Sequence, residues 1–201
     1  KMGGRFRVSK IQKNHPYTVS LYWKKITTIM SIETLEYKLI LKEGIFEIRS
    51  YSDMIVATTK VRSDYKSSTS AGFRRIFNYI VGGNDKESKI AMTTPVISDC
   101  PSEGLNAYNV SFVMPKEYSI EDLPKANTSL VSIEQESLGD VAVITFGGWA
   151  NESRSISYQK KLSLLLEKKS IKTQGGFMIA RFNSPLALMF RKNEVMVRII
   201  S

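Results

Sequence analysis

SSTSAGFRRIFNYIVGG (67–83) is the stretch on which the fold of this chain turns. Phe73, Ile76, Phe77 and Ile80 fall at i, i+3, i+4 and i+7, one stripe of an α-helix, in a chain that otherwise alternates at period two. The Ser/Thr cluster supplies N-cap candidates. Gly82-Gly83 closes the segment, since glycine takes the left-handed C-terminal conformation without steric cost. The spacing predicts a helix over 67–81. Before it, KLILKE (38–43) and GIFEIRSY (44–51) alternate and read as strands about a turn at Gly44. MIVATTKV (54–61), β-branched and apolar, reads as a more buried strand. After it, KIAMTTPVI (89–97) and YNVSFVMP (108–115) read as strands, each stopped or bent by proline.

The same order then returns. SLVSIEQ (129–135) and DVAVITFGG (140–148) read as strands, and Asn151 can cap a helix running to about Lys169. Tyr158, Leu162, Leu165 and Leu166 form its apolar stripe. GFMIARFN (176–183) and NEVMVRII (193–200) close the chain as strands. Asp53-Met-Ile-Val-Ala matches Asp140-Val-Ala-Val-Ile, and Thr94-Pro95 matches Ser184-Pro185, at an offset of 85–90 residues. These features predict an α+β fold of two pseudo-symmetric strand–helix–strand halves, about 37–115 and 129–200. The halves would pair into one curved, antiparallel-rich, barrel-like sheet with two helices packed outside. PKEYSIEDLPKANTS (115–129), polar and proline-bearing, would connect them.

Composition narrows the chemistry. The chain has 201 residues, 42% hydrophobic and 24% charged, ordinary globular values. No apolar run reaches the ~18 residues of a membrane span. Cys100 is the only cysteine and His15 the only histidine, so an intrachain disulfide, a cysteine-based zinc cage, a His-based triad and a bis-His haem site are excluded. The net charge of +10 belongs largely to the start of the chain. Residues 1–29 hold seven basic side chains and no acidic one, while residues 30–201 hold 22 basic and 19 acidic. Residues 1–33 therefore read as a basic leader, either a targeting segment, a tag or sequence upstream of a natural start at Met30, and the domain proper as 34–201. With the basicity set apart, nucleic acid is not an expected partner. The expected compartment is the cytoplasm.

Four ordered segments carry a family likeness: GFRRIFNYIVGGNDKESKIAMTTPV (72–96), VSFVMPKEY (110–118), VAVITFGGWA (141–150) and RKNEVMVRI (191–199). Together they resemble the SOUL haem-binding protein family over about residues 34–200. The resemblance implies a fold similar to the effector-binding domains of bacterial transcription regulators. It also implies reversible, non-catalytic binding of haem or another tetrapyrrole in a mainly apolar groove, as carrier, buffer or sensor. By that match the pocket involves helix positions Phe73, Ile76, Phe77 and Ile80 and a loop from Leu186 to Arg191, with Leu188 and Arg191 as its candidate contacts. The loop departs from the family pattern: Phe182-Asn-Ser-Pro-Leu-Ala-Leu-Met lacks a second proline and the following aromatic residue.

Each of these residues also has a plainer reading. Phe73 and Phe77 form either a tetrapyrrole face or core. Arg74 and Arg75 suit haem propionates, but neighbours on a helix point ~100° apart, so at most one faces a given ligand. Met92-Thr-Thr-Pro95 reads as a structural bend at the sheet rim. Cys100 offers a thiolate for iron in principle, although Asp99 and Glu103 beside it give its pKa no reason to fall. No nucleophile elbow, phosphate loop or metal-ligand cluster suggests an enzyme, and no tightly bound metal is expected. The alternative to tetrapyrrole binding is a module for another amphipathic molecule or a protein partner.

Overall fold

The computed structural model describes residues 32–102, 104–183 and 191–200. Nine strands and two helices are present among them: β1 Lys38–Glu43, β2 Phe46–Tyr51, β3 Met54–Arg62, α1 Tyr65–Ile80, β4 Val96–Asp99 and β5 Ala107–Val113. The second half supplies β6 Ser132–Glu136, β7 Gly139–Gly147, α2 Glu152–Lys168, β8 Thr173–Arg181 and β9 Lys192–Ile199. The strands form one antiparallel sheet, curled into a half-barrel, in the order β1-β2-β7-β9-β8-β4-β5-β3-β6. Outward from the central β8–β4 pair, β9-β7-β2 on one side answers β5-β3-β6 on the other. At that seam Val96 pairs with Arg181 and Ile97 with Ala180. The α+β, barrel-like class expected from the alternating pattern is the class observed.

Both helices begin with a side-chain cap. Asp64 Oδ1 accepts from the Ser67 amide at 3.0 Å, and Asn151 Oδ1 from the Arg154 amide at 2.9 Å. α1 thus starts two residues before the Ser/Thr cluster, because the carboxylate of Asp64 reaches the free amides of the first turn better than a serine within the helix can. Gly72 lets α1 press onto the sheet, where a Cβ would lie 2.5 Å from Val110 Cγ2. Ile76, Tyr79 and Ile80 pack beside it against Ala57, Val110 and Phe112. On α2, Leu162 and Leu166 pack against Phe46, Ile144, Val195 and Val197.

Strand side chains alternate between faces, so the other face of the sheet carries a separate cluster. Met54, Val56, Ile97, Val141, Val143 and Met196 are among its members. Beside it lies a buried ion network. Arg49 is bidentate to Glu194, at 2.8 and 3.0 Å, and its Nε donates to Glu47 at 2.7 Å.

One strand is shorter than its sequence pattern suggests. The stretch 89–97 contributes only Val96 and Ile97 to β4. Its earlier residues bond elsewhere: the Ile90 amide to Ile80 O, the Thr94 amide to Glu33 O, and Thr93 Oγ1 to Val113 O at 2.6 Å. Pro95 has no amide hydrogen to offer a ladder. No helix among the described residues is long and apolar enough to cross a membrane.

Candidate functional site

The two helices start from opposite sides of the β4–β8 seam, and the gap between their first turns is a groove of about 1040 Å³. That is the upper end of the ~300–1,000 Å³ usual for small-molecule sites. Val96, Arg181 and Asn193 form its floor, α1 contributes Tyr65 and Phe73, the approach to α2 contributes Trp149, and α2 itself contributes Ile156. Two smaller cavities lie elsewhere. One, of about 340 Å³, is on the inner face near Met54, Asp99 and Glu134; another, of about 760 Å³, lies near Tyr37, Asp53 and Tyr118. Of these three, only the inter-helix groove joins a largely apolar wall to a surplus of positive charge; the linings of the other two carry more acidic than basic side chains. Lys66, Arg74, Arg181 and Arg191 line it against the single carboxylate of Glu152.

Its aromatic wall is braced from behind. Phe73 stacks on Phe77 with ring centroids 5.8 Å apart and tilts against Phe112 at 5.2 Å. Across the opening, Arg191 lies over the Trp149 ring at 3.5 Å, a cation–π contact that orders an otherwise exposed indole. Gly148, at φ 78°, turns the chain into Trp149. Beneath these, Arg181 donates to Ser98 Oγ at 2.8 Å and to the Tyr65 hydroxyl. Burial pulls the Arg181 pKa below its ordinary value, although the charge and hydrogen bond of Tyr65 oppose the shift. Burial likewise raises the Tyr65 phenol, against the pull of Arg181.

The residues singled out by sequence fall into four places. Phe73 and Arg191 line the groove. Phe77 is 43% exposed and lies outside the lining, stacked on Phe73. Ile76 and Ile80, 0% and 3% exposed, belong to the core beneath α1, so they support the wall rather than face a ligand. Leu188 lies outside the described residues, as does most of its loop. Of the adjacent arginines only Arg74 lines the groove; Arg75 donates to Lys60 O at 3.2 Å.

Cys100 is buried, and its thiol lies 3.2 Å from Gln159 Oε1. Burial pushes its pKa up to about 12, so no thiolate is on offer. No group of three or more His, Cys, Asp or Glu side chains is placed to hold a metal among the described residues.

Arg181, Trp149 and Ile156 escaped the sequence reading. A signal existed for the first: Phe177 and Ile179, which share its face of β8, are both apolar and packed toward α2. A charge on that side had to meet something other than core.

Residues 32–198 match the family model described as SOUL heme-binding protein. The chain is 34% identical over 158 residues to heme-binding protein 2 of Homo sapiens, covering 76% of this chain and 77% of that protein. It is 28% identical over 180 residues to heme-binding protein 1 of Xenopus laevis, covering 85% and 94%. Among solved structures it resembles EcmrR in a complex with DNA, with a TM-score of 0.59 at 8% identity over 90% of this chain and 63% of that one. It also resembles a hydrolase from Listeria innocua, with a TM-score of 0.54 at 11% identity over 89% and 98%. Identities this low show a shared fold and nothing of activity. The match over residues 32–198, together with the human relative, shows that this chain belongs to the SOUL heme-binding protein family.

Proposed function

We propose that this chain binds haem or a related tetrapyrrole reversibly in the groove between α1 and α2, as a carrier, buffer or sensor and not as a catalyst. The observation that carries the reading is the pairing of an apolar, aromatic wall with a cationic rim, which matches a flat apolar ring bearing acids. Phe73, Trp149 and Ile156 would meet the ring. Arg191 would cover its edge and Phe77 would extend the wall outward; Leu188 stays a candidate contact through the family resemblance alone.

The residues present fit the organic ring and its acids. They offer iron little: no His, Cys or Met lines the groove among the described residues, and the Tyr65 hydroxyl is already engaged by Arg181 and Ser155. Bound haem would supply the redox and ligand-binding chemistry of its iron; the chain's own part is burial, orientation and charge. At ~25 cal/mol per Å², each 100 Å² of ring removed from water contributes about 2.5 kcal/mol. The same donor set favours a second reading, in which the ligand is another amphipathic anion. The proposed setting is the cytoplasm, supported by the unpaired thiol of Cys100.

Titration with haem and with metal-free protoporphyrin tests this, read by quenching of Trp149 in a Trp23→Phe background. Both should bind, within about tenfold of each other, because an iron bond contributing under ~1.4 kcal/mol changes affinity no more than that. Phe73→Asp should abolish both, since a carboxylate against an apolar ring is costly. Equal binding by Phe73→Asp and the parent would refute the site, and haem binding without porphyrin binding would reveal an iron ligand.

A further inference from the structure

Arg181 rises into the groove from β8, a strand whose helix-facing side otherwise carries Phe177 and Ile179. Its two hydrogen-bond acceptors, Ser98 Oγ and the Tyr65 hydroxyl, are both neutral. None of the ion pairs among the described residues includes it. A guanidinium has five N–H donors, so three are left after these two bonds. The Tyr65 oxygen accepts from Arg181 and lies 3.2 Å from Ser155 Oγ, which can take the phenol hydrogen. The hydroxyl chain therefore braces the cation without neutralising it. A half-buried cation whose bonded partners are both neutral keeps its charge available to an anion that enters the groove.

The surroundings add to the same potential. Lys66 and Arg74 stand on the α1 side. Both helices also begin at the groove, and helix N-termini carry partial positive charge.

We propose that Arg181 is a carboxylate-recognition residue, so that the groove selects amphipathic ligands carrying a free acid over the same molecules esterified. The remaining N–H donors of the guanidinium can take one or both oxygens of a carboxylate lying at the seam, in the short charge-assisted geometry such pairs adopt. An ester brings no charge and leaves the cation uncompensated. This inference rests on the groove being the ligand site. It goes further in naming the chemical group selected and the residue that selects it.

The test uses the full chain with protoporphyrin IX and its dimethyl ester, binding read by porphyrin fluorescence anisotropy. The acid should bind roughly 10- to 100-fold tighter than the ester, the range expected of hydrogen bonds to a charged group. Arg181→Met should erase that preference by weakening the acid alone, with a thermal melt confirming the fold. If Arg181→Met does not fold, Arg181→Gln, which keeps a donor for Ser98 without the charge, makes the same measurement. Arg181→Lys should restore part of the preference. Equal binding of acid and ester by the parent chain, with Ile156→Asp abolishing both, would overturn the role of Arg181 and leave the groove standing. Binding untouched by Ile156→Asp, or no binding of either porphyrin, would remove the groove and this inference with it. An acid preference undiminished in the neutral variants would overturn the inference alone.

Discussion

Gly72 sits in the middle of α1, where helix propensity alone would favour alanine by ~1 kcal/mol. Gly72→Ala should nevertheless destabilise the protein. The new Cβ would lie 2.5 Å from Val110 Cγ2 and 2.7 Å from Val110 Cβ, with Thr59 Cγ2 at 3.4 Å. Carbon atoms rest at ~3.5–4.0 Å, so α1 must rise by about 1 Å or Val110 must yield. Val110 is fully buried in a strand paired on both sides and has nowhere to go. Lifting the helix opens gaps beneath Ile76, Tyr79 and Ile80. Overpacking of this kind costs ~1–3 kcal/mol and exceeds the propensity gain. The expected net loss is up to about 2 kcal/mol, read from urea unfolding by far-ultraviolet circular dichroism. Val110→Ala removes the opposing methyl groups and is destabilising by itself through the lost burial. In the Gly72→Ala/Val110→Ala double variant the alanine Cβ should occupy the vacated space, giving a favourable coupling of ~0.5 kcal/mol or more. Porphyrin affinity should fall in Gly72→Ala, because Phe73 moves with the helix, and recover in the double variant. Gly72→Ala at or above parental stability, or strict additivity in the cycle, would refute this account of how α1 is seated.

Arg49→Met should destabilise by ~3–5 kcal/mol in chemical denaturation, because it strands the fully buried Glu194 without its bidentate partner; Arg49→Met/Glu194→Gln should recover a large part, and no recovery would show that packing rather than charge was lost. Burial raises the pKa of Glu47, but hydrogen bonds from Lys42 and Arg49 outweigh it and hold the carboxyl below its ordinary 4.5. Its contribution is therefore present above the unfolded-state value and lost as pH falls through the folded-state one, so Glu47→Gln should flatten the fall in melting temperature below about pH 4.5, and parallel profiles would count against it. Cys100, buried with a thiol pKa near 12, should react with a thiol reagent at neutral pH only as fast as the domain opens. Rapid native-state labelling would place it nearer the surface than described.

Much of the architecture was legible because period is a local property. The i, i+3, i+4, i+7 stripe in α1 and the β-branched alternation of β3 and β7 each fix an element without knowledge of its neighbours. The stretch at 89–95 was misread for the same reason. Its residues alternate as a strand would, but their hydrogen bonds go to α1, to Glu33 and to Val113, long-range partners that no local pattern announces. The site was less legible than the fold. A helical stripe does not say which of its members face core and which face a groove, and Phe73 and Ile76 differ only by the turn of the helix over β5. Arg181 continues the apolar face of Phe177 and Ile179, but because Met178 and Ala180 make the other face apolar too, only the fold shows which of the two meets the helices.

The groove's chemistry follows from where the two halves match and where they do not. The N-caps Asp64 and Asn151 stand 87 residues apart, and four residues after each lies a fully buried serine, Ser68 and Ser155. Small side chains at these equivalent points let the first turn of each helix lie close to the seam. Both helix starts, with their unsatisfied amides, are thereby brought to the same opening. Beyond the first turn the equivalence ends. At the same spacing from its cap, α1 places Phe73 where α2 places Lys160, and α1 begins with Tyr65 where α2 begins with Glu152. A strictly repeated sequence would have given a groove with two like walls. Divergence gives it one aromatic wall, braced by Phe77 and Phe112, facing a mixed one in which Trp149 and Ile156 stand beside Asn151, Glu152 and Ser153, with an arginine bonded only to neutral partners between them. If the proposed ligand binds there, an asymmetric groove of that kind would sort ligands by amphipathicity and would favour one orientation for a ligand with a single polar edge.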